Sequence, residues 1–490
     1  MSAPARRRAA SRPRRAPSGV LALVAVAVTT ALLVGVEQTH PPDTPLERGR
    51  PVAAVTTTQV CLPDPFGGPA VRGTTVLTVA PPVPADGTGI DGRLTATGPD
   101  PDAAAPAGED LDPARGPMVE LPGTDEPTVL RAEGAPAVGR ASYVTREGAS
   151  GGAVVQECLR PRAEWWFTGA GADLDHRSRL VLANVDESPA VVDVRVYGPD
   201  GQVDSVGTLG MTVAPGESRT LDLVDVAPQA DELAVHVLTT RGRVAAAVSD
   251  SFTSLGGDVP GRAWLPAQAG AARSLRLGPL PTQAAARTLL VANPTGRTAL
   301  VQLTVSGAAG SFAPTETSQV RVPAGSLVAT DVGSAFTDEA AALRLDSNLP
   351  VAASLRSTVR RGGTELVVYA GVLEPVAGPA VAPAVPGGVL HLTAGEVAVA
   401  ADVAAYAANG TEVAGTRLDV PTGATAPWPL PARAAYVVVD PVRGRPSGGV
   451  VGPAADGYAS VALRPLLLEL RRPAVVPVVP TRAGQAGSAP

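Results

Sequence analysis

The 490-residue chain contains no lysine, two cysteines, four histidines and fifteen aromatic residues, 3% of the total. Each scarcity excludes something. Cys61 and Cys158 stand in no Cys-x-x-Cys or Cys/His spacing, so neither a structural zinc site nor a thiol redox motif is expected. With so few aromatics, and an apolar set made mostly of alanine and valine, cores are thin, and small domains in series are expected rather than one large core. Arginine carries the basic charge, but not as a face: the first 36 residues hold six arginines and no acid, leaving 34 arginines against 46 acids in the remainder. Nucleic-acid binding needs concentrated positive charge, and that distribution excludes it.

What is present begins with an address. Arg6, Arg7, Arg8, Arg12, Arg14 and Arg15 precede an uncharged stretch from Gly19 to Val36, 18 residues long. This is near the lower limit for a membrane span, and the arginine flank places the N-terminus inside and the bulk outside. The nearest small-x-small triplet, Ala25-Val26-Ala27, lies within the apolar run, so a signal-anchor is expected, with secretion after cleavage as the alternative. Residues 37–58 follow as a proline- and threonine-rich spacer, and 471–490 read as a disordered tail.

Residues 59–160 read as a small, loop-rich β domain with strands at Thr74 to Val79, Arg93 to Thr97, Thr128 to Arg131 and Ala153 to Gln156. In an oxidising compartment Cys61 and Cys158 are expected to form a disulfide, contributing roughly 4 to 5 kcal/mol by loop closure.

The remainder repeats. Arg179-Leu-Val-Leu-Ala-Asn184 returns as Thr288-Leu-Leu-Val-Ala-Asn293, and Val213-Ala-Pro-Gly216 returns as Val322-Pro-Ala-Gly325, both shifted by 109. A more worn third copy matches Val194-Arg-Val-Tyr197 to Val403-Ala-Ala-Tyr406. Val192, Val194 and Val196 alternate with polar or amphipathic residues, the period of a strand buried on one face. Asp200-Gly201 and Asn409-Gly410 read as hairpin turns, because the glycine accepts positive φ. The expected architecture is all-β: three immunoglobulin-like β-sandwich repeats, at 161–258, 259–362 and 363–470, stacked as a rod behind the N-terminal domain. The best helical window, Ala335 to Leu345, is short.

One stretch concentrates the rare residues: Cys158, then Trp165-Trp166-Phe167 and Gly169-Ala-Gly171. Two readings of the aromatics are open. They pack the N-terminal domain onto the first repeat, or Trp165 and Trp166, with Trp264, bind a sugar or a partner. Gly169-Ala-Gly171 lacks the third glycine of a nucleotide loop. Asp173, Asp175, His176 and Ser178 form the one polar cluster of catalytic residue types, and a loop before the first strand explains it as well. His236 reads as a packed strand residue. No catalytic centre, metal site or cofactor is expected.

The arginine-flanked anchor, Cys61, Cys158 with Glu164-Trp165-Trp166-Phe167-Thr168-Gly169, Leu180 to Asn184, and Pro350-Val351-Ala352 together resemble a family of actinobacterial exported proteins known as a domain of unknown function, family 5719. The resemblance implies a membrane-tethered, all-β envelope protein. It also implies a partner in the membrane, an envelope glycosyltransferase or its glycan, and a scaffolding rather than catalytic role.

Overall fold

The computed structural model of the protein describes residues 51–52, 56–66, 74–79, 92–99, 109–110, 118–121, 126–134, 141–147, 153–252, 261–361, 363–385, 387–454, 457–466 and 470–471. The expected anchor, the spacer up to residue 50, His40 and the tail beyond 471 lie outside them. Among the described residues no helix is long and apolar enough to cross a membrane. Two short strands, Pro51–Val52 and Leu470–Arg471, pair antiparallel in a unit of their own. All that follows concerns the other unit, residues 53–469.

Every pairing in this unit is antiparallel. The N-terminal domain has two four-stranded sheets. One runs in the order Thr56–Cys61, Thr128–Gly134, Gly92–Thr97, Glu109–Asp110. The other runs Met118–Leu121, Thr74–Val79, Ala141–Glu147, Ala153–Glu157. The four strands expected here are present. Cys61 and Cys158 form the disulfide, with Cα atoms 4.3 Å apart and a sequence separation of 97. Beside it Val60 and Leu159 exchange backbone hydrogen bonds of 2.8 and 2.9 Å, so the first strand is stitched to the segment that leaves the domain.

Three two-sheet modules follow. In module 1, Glu164–Ala170, Leu233–Arg241 and Ala190–Gly198 form one sheet with two short strands. The other sheet is ordered Ser218–Asp222, His176–Ala183, Ala245–Phe252, Gly261–Trp264. Module 2 keeps the plan, but one 20-residue strand, Ala342–Arg361, pairs with Ala299–Gly307 in one sheet and Ala286–Ala292 in the other. In module 3 the sheets are built around Val399–Tyr406 and Val389–Thr393. The alternation of Val192, Val194 and Val196 places all three in the module 1 core.

The repeat is repeated bond for bond. Asn184 Nδ2 donates to Ser188 O and Val213 O at 2.9 and 3.0 Å, and its carbonyl accepts from Asp186 N. Asn293 Nδ2 donates to Arg297 O and Val322 O at 2.7 and 3.1 Å, and its carbonyl accepts from Thr295 N. Each asparagine is fully buried and ties a strand end to the following turn. Module 3 has Ala394 at this place: its N–H donates to Ala424 O as Asn184 N–H does to Glu217 O, and the side-chain bonds are gone.

Two expectations change. Gly261–Trp264 pairs with module 1 and Thr364–Val372 with module 2, so each module ends later than the repeat boundaries at 258 and 362. In keeping with the all-β expectation, residues 335–345 form no α-helix: a 3-10 turn at Gly333–Ala335 leads into the long strand from Ala342. Nor do the modules stack as a simple rod. Leu290, Ala292, Leu327, Ala352 and Tyr369 of module 2 belong to the module 1 core. The N-terminal domain docks on module 1 through Val60, Leu62 and Val129. It also reaches module 3, where Val155 packs on the core and Glu157 pairs with Arg464 at 2.8 Å. The chain closes on itself, first domain against last module.

Candidate functional site

The aromatic run is buried. Trp165, Trp166 and Phe167 are 3%, 1% and 1% exposed, in a strand whose two faces are both covered. Trp165 Nε1 donates to Val244 O at 2.9 Å and Trp166 Nε1 to Glu164 Oε1 at 2.9 Å. The Trp166 ring stacks on His236 at 4.0 Å, and Tyr197 lies 5.5 Å away. These indoles fill the module 1 core and offer no ring face to a sugar. Leu159 at the end of the N-terminal domain joins the same core, while the domain's other contact with module 1 runs through Val60, Leu62 and Val129. Trp264, half-buried, is the aromatic of the four that touches that contact.

Gly169 and Gly171 have steric reasons to be glycine. Gly169 has φ +96°, and a Cβ there would sit 2.7 Å from Leu290 Cδ1 and 2.8 Å from Tyr369 Cε1. A Cβ on Gly171 would meet the His176 ring at 2.3 Å. The two glycines therefore let module 2 and the His176 imidazole approach this strand.

The polar cluster is real, and it is assembled differently from the sequence expectation. Asp173 caps its own loop, accepting from the backbone of Asp175 and His176. Asp175 points to no partner in the cluster. The carboxylate that matters is Asp250, which is 0% exposed. It accepts from Ser178 Oγ, from His176 Nε2 at 3.1 Å, and from Tyr369 OH at 2.9 Å. The Tyr369 hydroxyl also lies 2.9 Å from Gly169 O. Beside it, Arg356 of module 2 pairs with Glu232 of module 1, and the Arg356 guanidinium lies 5.7 Å from the Phe252 ring that stacks on His176. The site is the joint between modules 1 and 2.

Geometry decides the chemistry. His176 Nδ1 faces the Asp231 carbonyl at 2.8 Å and Nε2 faces the Asp250 carboxylate, so both ring nitrogens must donate. Such a ring is an imidazolium with no lone pair for general-base work. Burial alone would lower its pKa, but the Asp250 hydrogen bond and the Asp250 and Glu232 charges outweigh burial and raise it above 6.5. Ser178 donates to the carboxylate, not to the imidazole, and accepts from Gly171 N at 2.9 Å. A nucleophilic serine needs the histidine between serine and acid; here the acid stands between the other two. Tyr369 is pushed well above its ordinary value by burial first, and then by the Asp250 charge, so it remains a neutral donor.

The other two described histidines, His236 and His391, are packed. Burial lowers the His236 pKa, with Glu164, 3.1 Å from Nε2, opposing. His391 is 1% exposed, neither ring nitrogen has a hydrogen-bond partner among the described residues, and burial lowers its pKa to about 4. Among the described residues no group of three or more His, Cys, Asp and Glu could hold a metal ion.

DUF5719, a family of unknown function, matches residues 124–431. The chain belongs to that family. No curated protein matches it. Among solved structures, the Streptomyces avermitilis α-L-rhamnosidase complexed with L-rhamnose is similar at 10% identity over 84% of this chain and 55% of its own. The chain thus spans about half of that protein's length, and at a TM-score of 0.13 the likeness carries no argument.

Sequence reasoning misses Asp250, Tyr369 and His391. Asp250 lies 74 residues from His176 and 119 from Tyr369, and it stands in a strand that otherwise reads as apolar filling. One signal does point to it. Where module 1 pairs Ser178 with Asp250 across two strands, module 2 pairs Arg287 with Ser357, so the repeat departs from itself at this position.

Proposed function

We propose that this chain is a non-catalytic, membrane-anchored extracytoplasmic protein of the cell envelope. It acts as a rigid scaffold for envelope glycan assembly, with a membrane glycosyltransferase as its partner. The observation that carries the reading is the joint at Asp250: the residue types that could do chemistry are locked in a buried, charge-paired contact, with the histidine protonated and the serine turned to the acid. Such a contact fixes one module against the next. The three modules are read as immunoglobulin-like sandwiches, because each has two antiparallel sheets around a shared core. The rival reading, a sugar-binding protein using Trp165 and Trp166, loses its main support with their burial.

The test is cross-linking of the full chain in its own membrane, followed by affinity capture under denaturing conditions. A membrane glycosyltransferase among the adducts is the expected result. Release of the chain by an alkaline wash, together with no envelope protein among the adducts, would overturn the reading. N-terminal sequencing of the mature protein separates the anchored form from the cleaved one.

A further inference from the structure

A cavity of about 100 Å³ lies where the N-terminal domain and all three modules meet. It is lined by Glu157 of the first domain, Phe167 and Trp264 of module 1, Val372 of module 2, and Ser460 and Arg464 of module 3, among others. A void that stays empty between packed modules is ordinarily apolar throughout, and this one has a mixed wall. Its two full charges, Glu157 and Arg464, are paired at 2.8 Å, so the wall is polar but electrically neutral. The Ser460 hydroxyl donates to Pro279 O at 2.8 Å, which leaves its oxygen able to accept. Trp264 differs from Trp165 and Trp166: it is half-buried, and its indole N–H meets no acceptor among the described residues. Phe167, Leu265 and Val461 supply the apolar remainder.

We propose that this junction cavity binds a neutral, hydroxyl-bearing ligand, either a small free polyol or one edge of a sugar ring. The chemistry follows from the wall. A closed ion pair gives no net attraction to an anion or a cation, while the Glu157 carboxylate and the Gln156 amide, whose Nε2 and Oε1 meet no hydrogen-bond partner among the described residues, offer an acceptor and a donor to hydroxyl groups. An aromatic side chain beside such polar groups suits the C–H face of a polyol carbon chain. The volume holds about three waters at roughly 30 Å³ each, or the heavy atoms of a polyol of about three or four carbons. A whole hexose does not fit, so a sugar enters by one edge. Because every module contributes a wall, the bound ligand stabilises the closed arrangement of all four. The inference stands apart from the scaffold reading, since it concerns a ligand and not the membrane partner.

The experiment uses the full chain with three probes: glycerol, erythritol and a methyl hexopyranoside. Binding is read by isothermal titration and by tryptophan emission, in which Trp264 reports on the cavity. Saturable binding in about the millimolar range is expected for a ligand of so few atoms. Trp264→Phe keeps an aromatic ring and removes the N–H, and is expected to weaken binding about tenfold with a small drop in the ligand-free melting temperature from the packing it loses against the Val60 and Leu62 contact. Ala267→Leu fills the cavity and is expected to abolish binding, which provides a second variant if Trp264→Phe does not fold. Binding of the linear probes alone identifies a free polyol, and binding of the glycoside as well identifies a sugar edge. No saturable binding of any probe to the wild type, or equal binding to wild type and the cavity-filled variant, overturns the proposal and leaves the cavity to water.

Discussion

Asp250→Asn tests the joint between modules 1 and 2 directly. The substitution keeps shape and removes charge. The native carboxylate accepts from Ser178 Oγ, His176 Nε2 and Tyr369 OH, all three buried with it. An amide offers one acceptor oxygen and turns an N–H toward donors, so at least one of the three donors is stranded and the imidazolium loses its counter-charge. Removing one member of a buried pair costs about 3–5 kcal/mol, a large part of the stability of a typical domain. The assay is urea unfolding of the full chain between pH 5 and 9. His176 has a folded pKa above its unfolded value of 6.5, so the native state holds the proton more tightly. That contribution is complete below about pH 6.5 and is lost as pH rises through the folded pKa. In the wild type, stability therefore declines on the alkaline side of 6.5, and in Asp250→Asn that decline shrinks or reverses, because only the Glu232 charge is left to oppose burial. A variant within about 1 kcal/mol of wild type, or one keeping the same alkaline decline, would refute the joint as described.

Further outcomes follow from other buried groups. His391, with its pKa lowered to about 4, takes up a proton only at a cost, so it removes about 3 kcal/mol as pH falls from 6.5 to 4; His391→Phe is expected to abolish that part of the acid loss in pH-jump unfolding. Asn293→Ala strips two N–H donors, shared among Arg297 O, Val322 O and Pro323 O, together with the acceptor for Thr295 N, and is expected to lower stability by about 3 kcal/mol in urea titration. Replacing Cys61 and Cys158 together by serine releases a closure of 97 residues; a loss of about 4–5 kcal/mol, and protease cleavage within residues 59–160 before the modules, are expected.

What could be read from the chain, and what could not, divides by distance along it. The strands around Val192 and Thr74, the turn at Asn409-Gly410 and the 109-residue repeat are local or periodic signals, and the Asn184 and Asn293 brackets show that the offset is a structural one. The disulfide was legible because only one pairing was possible. The His176 cluster was half legible: its histidine and serine stand together, and their true partner comes from another strand and another module. Asp173 and Asp175 stand beside them in sequence, but adjacency along the chain does not bring their carboxylates to the imidazole. Trp165 and Trp166 were ambiguous for a related reason. Whether a strand is covered on one face or two depends on what packs against it, and here Gln268 bridges Trp166 and Leu290 of module 2 joins the same core.

The joints explain how repeated modules acquire a fixed order. Modules 1 and 2 share a core and share the plan of their asparagine brackets, so apolar burial alone would let either occupy either place. The polar contacts are not interchangeable. The first joint uses Asp250 with Tyr369 and Glu232 with Arg356, and adds Thr168 Oγ1 donating to Ser354 Oγ at 2.7 Å. The second uses Arg276 Nη1 donating to Ser447 Oγ at 2.9 Å and Thr425 Oγ1 donating to Ser306 O at 2.8 Å. His391 stands on that same face, opposite Gly449, where a Cβ would meet Pro279 Cδ at 2.9 Å. A module placed in the wrong joint would bury an unpaired carboxylate or guanidinium, at several kcal/mol each. The buried charges thus act against misassembly rather than for bulk stability. The closing contact of Glu157 with Arg464 extends the same logic to the ends: the first domain recognises the last module by charge, and a chain that has joined its modules out of order cannot make it.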